Sequence, residues 1–168
     1  MPRIISSREY LRNINVIYLA QISAIVLLAI TAYFLIAQGS LGSENNELAL
    51  TFQKIIMVMI PLSLASGYVV FRFIVRSIPE QAPIQYKMKR YFIANLIRSA
   101  FLEIPGLLVS VAALITAHKL FLMIVPLVLI VFILFRPSKS VIAQELNLSP
   151  EERALLYDPE AKISESME

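Results

Sequence analysis

The feature that most constrains this chain is the run Tyr91–Ala117, YFIANLIRSAFLEIPGLLVSVAALITA, which is apolar apart from a few polar residues such as Arg98 and Glu103. About 20 helical residues cross the hydrocarbon core of a bilayer, so this run is long enough to span it. One face of such a helix collects its small and polar residues, namely Asn95, Ser99, Glu103, Gly106, Ser110, Ala113 and Ala117. Small residues allow close helix contact and polar ones bond across it, so we predict that this helix is the packing centre of a bundle.

Composition extends this interpretation to the whole chain. Of its 168 residues, 58% are hydrophobic and 16% are charged, and the apolar residues form long blocks. This pattern predicts an all-α polytopic membrane protein with four transmembrane helices in an antiparallel bundle and a short cytoplasmic helical tail. The predicted segments are an N-terminus (1–13), span 1 (14–37), a loop (38–51), span 2 (52–75), a basic loop (76–90), span 3 (91–117), a turn (118–119), span 4 (120–135) and the tail (136–168).

The basic residues predict the orientation of these spans. They fall on one side of a four-span chain, whereas the loop on the other side carries Glu44 and Glu47. The residues used are Arg3, Arg8, Arg12, Arg72, Arg76, Lys87, Lys89, Arg90, Arg136 and Lys139. The positive-inside rule then places both termini and the middle loop in the cytoplasm, with the spans in the inner membrane.

Other functional classes have little support in the sequence. The basic residues border apolar spans, so we expect contact with the lipid bilayer and no nucleic-acid partner. The chain has no cysteine and a single histidine, His118, in the predicted turn. No metal-ligand spacing is present, and we predict neither a metal site nor a cofactor.

The tail carries a local helix signal. Ser149, Pro150 and Glu152 have the spacing of an N-cap, a first-turn proline and a capping-box glutamate, and Pro159 is expected to end that helix. Residues 141–148 are predicted to form a short amphipathic turn against the membrane surface. The residues after Pro159 are expected to be loose, and a cytoplasmic partner at the tail is one hypothesis.

Polar residues that lie at the same depth in the membrane can be partners, and their depths follow from their positions in the predicted spans. Counted from the cytoplasmic side, Gln21 lies about as deep as Arg98, and Ser63 about as deep as Glu103. We expect Arg98 to reach lipid headgroups or Gln21. An ionised carboxylate alone at this depth is costly, so Glu103 is expected to be protonated and hydrogen-bonded, either to Ser63 or to a neighbouring protomer.

Short motifs resemble a known group of proteins. The pieces concerned are Ala20-Gln21, Leu102-Glu103 with Pro105, Arg136-Pro137-Ser138-Lys139 and Glu145-Leu146-Asn147-Leu148-Ser149-Pro150-Glu151-Glu152. On these the chain resembles a family of small, uncharacterised four-span bacterial membrane proteins. The resemblance implies the same topology and singles out Glu103, but it implies no activity.

Two characterised families share fragments with the chain. Glu103 follows the basic loop 76–90, similar to the ion-binding Glu of rotary ATPase c subunits, although Gly67 is the only glycine of span 2. This resemblance implies ion or proton translocation.

The pattern of Arg90, Asn95, Glu103 and Pro105 is similar to a helix of the membrane glutathione transferase and eicosanoid family, with different spacing. That resemblance implies an enzyme. We favour a third interpretation, a non-catalytic accessory or assembly subunit packed around helix 3, as a homo-oligomer or with other membrane subunits.

Overall fold

The computed structural model describes residues 4–41 and 44–165, so Arg3, which contributed to the predicted orientation, lies outside the described residues. The elements, in chain order, are β1 (Ile4–Ser6), α1 (Ser7–Ala37), α2 (Asn46–Arg76), α3 (Ile84–Thr116), a 3₁₀ helix (Lys119–Met123), α4 (Val125–Leu134), α5 (Lys139–Glu145), α6 (Pro150–Tyr157) and β2 (Lys162–Glu165). The predicted helical class is confirmed, with two short strands added to it.

Three helices, α1, α2 and α3, are long and apolar enough to cross a membrane. The number rises to four if Lys119–Leu134 and Lys139–Glu145 are counted together as one bent span. The chain is therefore a multi-pass membrane protein by helix length and composition. The predicted fourth span is not one continuous α-helix, because it begins as a 3₁₀ helix and α4 starts only at Val125. Pro126 lies in the first turn of α4, where a proline removes no helical bond.

Burial distinguishes α3 from the other two long helices. Half of its most apolar 18-residue window is buried inside the protein, against 11% for α1 and 22% for α2. The small and polar face predicted from the sequence is turned inward: Asn95, Ser99, Ser110 and Ala113 are at most 3% exposed. Ile115, on another side of the helix, is 55% exposed. α3 is thus the most buried of the three long helices, as expected of a packing centre, and the bundle around it stays a prediction.

The chain divides into two compact units. The first contains the described residues up to Tyr18, Tyr68–Arg98 and those from Arg136 onward, and the second contains Leu19–Gly67 and Ser99–Phe135. The large buried side chains of the first unit include Tyr10, Phe71, Met88, Tyr91, Ile142, Leu156 and Ile163. Those of the second include Ile25, Val109 and Phe132.

In the first unit the tail folds against the start of the chain. Strands β1 and β2 pair antiparallel, Ser7 Oγ donates to the carbonyl of Leu156 at 2.6 Å, and Ile163 is fully buried. The prediction that residues after Pro159 are loose is wrong for 162–165, which form β2. It failed because the only apolar side chain in β2, Ile163, gives no pattern until its partner strand is known.

The local helix signals of the tail are confirmed. Ser149 caps α6 in a capping box with Glu152, Pro150 lies in its first turn, and the helix ends at Tyr157, two residues before Pro159. A helix, α5 (Lys139–Glu145), overlaps the segment 141–148 that was predicted as a short amphipathic turn, and it buries Ile142 and Ala143.

The second unit contains one particularly close helix contact. A Cβ added at Gly106 of α3 would lie 2.7 Å from Cδ1 of Ile25, whose side chain is fully buried. Such a distance is below van der Waals contact, so any larger residue at position 106 would force the buried Ile25 side chain to shift. The same unit holds the turn between α3 and the 3₁₀ helix, where Ala117 has a φ of 55°.

Candidate functional site

Arg98 lies at the centre of a polar cluster in the first unit. Its Nη1 is 3.1 Å from Oε1 of Glu145, and its Nη2 donates to Oδ1 of Asn95 at 2.8 Å. The guanidinium also lies over the ring of Phe71, 3.9 Å from the centroid. Arg98 is only 4% exposed, so these contacts replace the water that a free guanidinium would bind.

Glu145, at the end of α5, joins this cluster to the tail. Its second oxygen, Oε2, accepts a hydrogen bond from the hydroxyl of Tyr91 at 2.6 Å, and the ring of Tyr91 packs edge-on against Phe71. α5 starts at the N-cap Ser138 and ends before Asn147, whose φ of 47° turns the chain. These two signals fix the length of α5, which places Glu145 within reach of Arg98. We call Arg98, Glu145, Tyr91, Asn95 and Phe71 the arginine cluster.

The arginine cluster corrects the partner predicted for Arg98. The guanidinium bonds to Glu145, not to lipid headgroups or Gln21, so that prediction is wrong. Glu145 was not predicted as a partner because residues 136–168 were expected to form a cytoplasmic tail, and without Glu145 the role of Tyr91 could not be recognised. The apolar residues Ile142 and Ala143, which anchor α5, were the available signal that the tail packs on the helices.

Glu103 lies in the second unit and has a different partner from the one predicted. Gln21 Nε2 donates to Oε2 of Glu103 at 3.0 Å, whereas Ser63 Oγ donates to the backbone carbonyl of Phe101. The predicted bond between Ser63 and Glu103 is therefore wrong. Gln21 was paired with the wrong residue of α3, because depth was counted from the predicted span ends.

One atom beside Glu103 is left without a partner. Among the residues that the structure describes, Oε1 of Gln21 is buried and accepts no hydrogen bond. If the amide were rotated, a protonated Glu103 would donate to that oxygen, since a neutral carboxyl carries one O–H. The Gln21–Glu103 pair can thus satisfy a charged or a neutral carboxyl.

The remaining predicted site residues are buried but separate from this pair. Ser110 Oγ donates to the carbonyl of Gly106 one turn earlier, and Ser99 is fully buried. Asn95 belongs to the arginine cluster. The seven predicted residues therefore divide between the units, with Arg98 and Asn95 in the first and Glu103, Gln21, Ser63, Ser99 and Ser110 in the second.

A second ion pair in the first unit was also missed. Nζ of Lys87, a residue 4% exposed, is 2.7 Å from Oε1 of Glu152. Burial alone would raise the pKa of Glu152, but the hydrogen bonds from Lys87 and the backbone N–H of Ser149, together with the charge of Lys87, lower that pKa overall. Lys87 had been interpreted only as a topology signal of the basic loop.

Two cavities of the first unit share Arg76 in their lining. One, of about 460 Å³, is lined by residues that include Arg76, Lys87, Glu145 and Glu152. The other, of about 420 Å³, is lined by Tyr68, Val69, Arg72, Phe73 and Arg76. Arg76 borders both.

Within the described ranges 4–41 and 44–165, no group of three or more His, Cys, Asp or Glu side chains could hold a metal ion. His118 Nδ1 accepts from the backbone N–H of Leu120 at 3.4 Å and so caps the 3₁₀ helix. Its Nε2 is 3.9 Å from the carboxylate of Glu44.

No protein-family model, curated protein or solved structure matches this chain. The family resemblances drawn from short motifs remain predictions.

Proposed function

We propose that the chain is a non-catalytic membrane protein of the inner membrane, a four-span bundle that serves as an accessory or assembly subunit. The observation that carries this proposal is that the two charged side chains in the apolar part of α3 are used in contacts within the chain, Arg98 with Glu145 and Glu103 with Gln21. Both pairs connect α3 to another segment. Polar groups bonded in this way stabilise a bundle and specify its packing.

The pairing of β1 with β2 supports an even number of membrane crossings. Strands that pair must lie on the same side, and three long helices alone would leave the two chain ends on opposite sides. Lys119–Leu134 is about 25 Å long, against about 30 Å for the hydrocarbon core. Lys119 and Arg136 can extend their charged ends to the two membrane–water interfaces, so we assign this segment as the fourth transmembrane span.

Reporter fusions test this topology. We expect a reporter after Asn46 to lie outside, and reporters after Gln81 and Ser149 to lie in the cytoplasm, in agreement with the positive-inside rule. A cytoplasmic reporter at Asn46 would contradict the four-span arrangement. The proposed surroundings are lipid and, along the largely exposed α1, a second copy or another membrane subunit.

Translocation of protons through Glu103 is the second candidate function. The observation that favours it is the unpartnered Oε1 of Gln21, which would accept a proton-bearing Glu103 after rotation of the amide. A site that bonds both states of a carboxyl is suited to binding and releasing a proton.

Two variants separate these functions. Glu103→Gln keeps the shape of the side chain and an oxygen that accepts from Gln21, but cannot titrate. Glu103→Leu removes the bond, which is worth about 0.6–2 kcal/mol between membrane helices. Glu47→Gln, at an exposed glutamate of α2, is the control. Each variant is purified for thermal melts in detergent and for proton flux in liposomes.

A structural role predicts that Glu103→Gln melts like the wild type, that Glu103→Leu melts lower, and that none of the proteins carries a flux. A flux in the wild type and in Glu47→Gln that disappears in Glu103→Gln, with unchanged melts, would refute the structural proposal and support translocation. A carbodiimide that labels Glu103 and blocks the flux would add to that support.

A further inference from the structure

Two arginines at the end of α2 border an apolar groove. Arg72 and Arg76 are one helical turn apart, and the groove of about 420 Å³ beside them is completed by Tyr68, Val69 and Phe73. Residues four apart lie on the same side of a helix, so both guanidinium groups can reach one ligand. Phe73 is 75% exposed and Val69 63%, so the groove is open to its surroundings.

Neither guanidinium is neutralised within the described part of the chain. Arg72 lies 5.7 Å from the centroid of the Tyr68 ring, and no carboxylate pairs with Arg72 or Arg76. By contrast, Arg98 and Lys87 of the same unit are both paired. Two unpaired positive charges beside an open apolar surface are complementary to a ligand that is anionic at one end and apolar along its length.

We propose that this groove binds an anionic phospholipid, with its phosphate between Arg72 and Arg76 and an acyl chain along Tyr68, Val69 and Phe73. Arginine is suited to this task because its planar donors match phosphate oxygens. The neighbouring cavity, which Arg76 also borders, suits an anion less well than the groove. The cations beside Glu145 and Glu152 are already paired with those carboxylates, and the carboxylate of Glu80 repels an anion.

This proposal goes beyond the proposed accessory role. It depends only on the placement of the chain in a membrane, which the reporter fusions test separately. The end of α2 is the predicted cytoplasmic interface, where the surface potential of anionic lipids attracts basic residues. A free phosphate would engage the arginines but leave the apolar groove unused. The shape of the site therefore favours a lipid over a soluble anion.

Native mass spectrometry of the full chain in detergent tests the proposal, with phosphatidylglycerol and phosphatidylcholine as competing probes. We expect the wild type to retain phosphatidylglycerol preferentially. The double variant Arg72→Gln/Arg76→Gln should reduce that preference about 30-fold, the change that corresponds to about 1 kcal/mol for each juxtamembrane cation. An excess of inorganic phosphate should not displace the lipid.

A charge-matched control removes two exposed cations elsewhere, Arg12→Gln/Lys54→Gln, and should keep the preference of the wild type. Equal loss in the control would show a general charge effect and overturn the site, as would a preference within twofold of wild type in Arg72→Gln/Arg76→Gln. Displacement by inorganic phosphate would overturn the lipid assignment. Both arginines are exposed, so the double variant should melt like the wild type. If its melting temperature falls, the single variant Arg76→Gln is tested instead, and a smaller loss of the lipid preference is expected.

Discussion

Replacing Glu145 with glutamine tests how far the arginine cluster stabilises the protein. The amide keeps one of the two oxygens, so it can accept from Arg98 or from Tyr91, and it removes the negative charge 3.1 Å from the guanidinium. The Arg98 side chain, which is 5% exposed, then remains charged. Its contacts with Asn95 and with the ring of Phe71 stay in place. The variant therefore isolates the charge from the shape of the side chain.

The expected loss follows from burial. Removing one partner of a buried ion pair costs about 3–5 kcal/mol, because the other charge is left uncompensated. The Glu145 side chain is 25% exposed, so water offsets part of the loss and about 2–3 kcal/mol is expected. For a chain of this size, that lowers the melting temperature by about 5–10 °C.

Thermal melts in detergent measure this loss, with Glu160→Gln as the matched control. Glu160 also faces an arginine, Arg8, at 3.9 Å, but both side chains are more than 70% exposed. Such surface pairs contribute about 0–1 kcal/mol, so the control should melt within a few degrees of the wild type. The two variants make the same chemical change in opposite environments.

A double variant adds a further check. Arg98→Met/Glu145→Gln removes both charges, so it should be less destabilised than the sum of its single variants, since contacting residues couple. A Glu145→Gln protein that melts like the Glu160→Gln control, or additive effects in the double variant, would refute the stabilising ion pair.

Three further predictions concern other contacts. Deleting residues 148–168 should leave membrane insertion intact but lower the melting temperature, because Leu156 and β2 are buried parts of the first unit; an unchanged melt would contradict this. Gly106→Ala should destabilise the protein by about 1–3 kcal/mol through overpacking against Ile25, and Ile25→Val should recover part of the loss; no recovery would place the strain elsewhere. Because the pKa of Glu152 is lowered in the fold, its contribution is present above its ordinary pKa and is lost as pH falls through the folded value. Melts from pH 7 to pH 3 should therefore fall more steeply for the wild type than for Glu152→Gln, and parallel curves would count against the role of the ion pair.

The sequence predicted those features that depend on residues close together in the chain. The inward face of α3 follows from helical periodicity, and the capping box of α6 from four consecutive residues. Burial of Asn95, Ser99 and Ser110 follows from the same periodicity, because a small and polar stripe in an apolar helix is disfavoured against lipid.

Contacts between distant residues were not predictable in the same way. Arg98 and Glu145 are 47 positions apart, and their contact depends on where α5 ends and how the tail folds. The choice of Gln21 rather than Ser63 as the partner of Glu103 depends on the rotation of α1 and α2 about their axes, which hydropathy leaves undetermined. The fourth apolar segment was found, but its 3₁₀ start was not, because propensity distinguishes 3₁₀ from α-helix poorly.

The pairing of β1 with β2 also bears on the order in which the protein is made. The ribosome makes Ile4–Ser6 before the helices that follow it and Lys162–Glu165 after them, so the strand pair cannot form until α1 to α6 have been made. β1 therefore remains unpaired while the apolar helices between β1 and β2 enter the bilayer. The first unit is therefore completed only after membrane insertion. A ribosome stalled before Lys162 leaves a nascent chain whose helices are inserted but whose strands β1 and β2 are not yet paired.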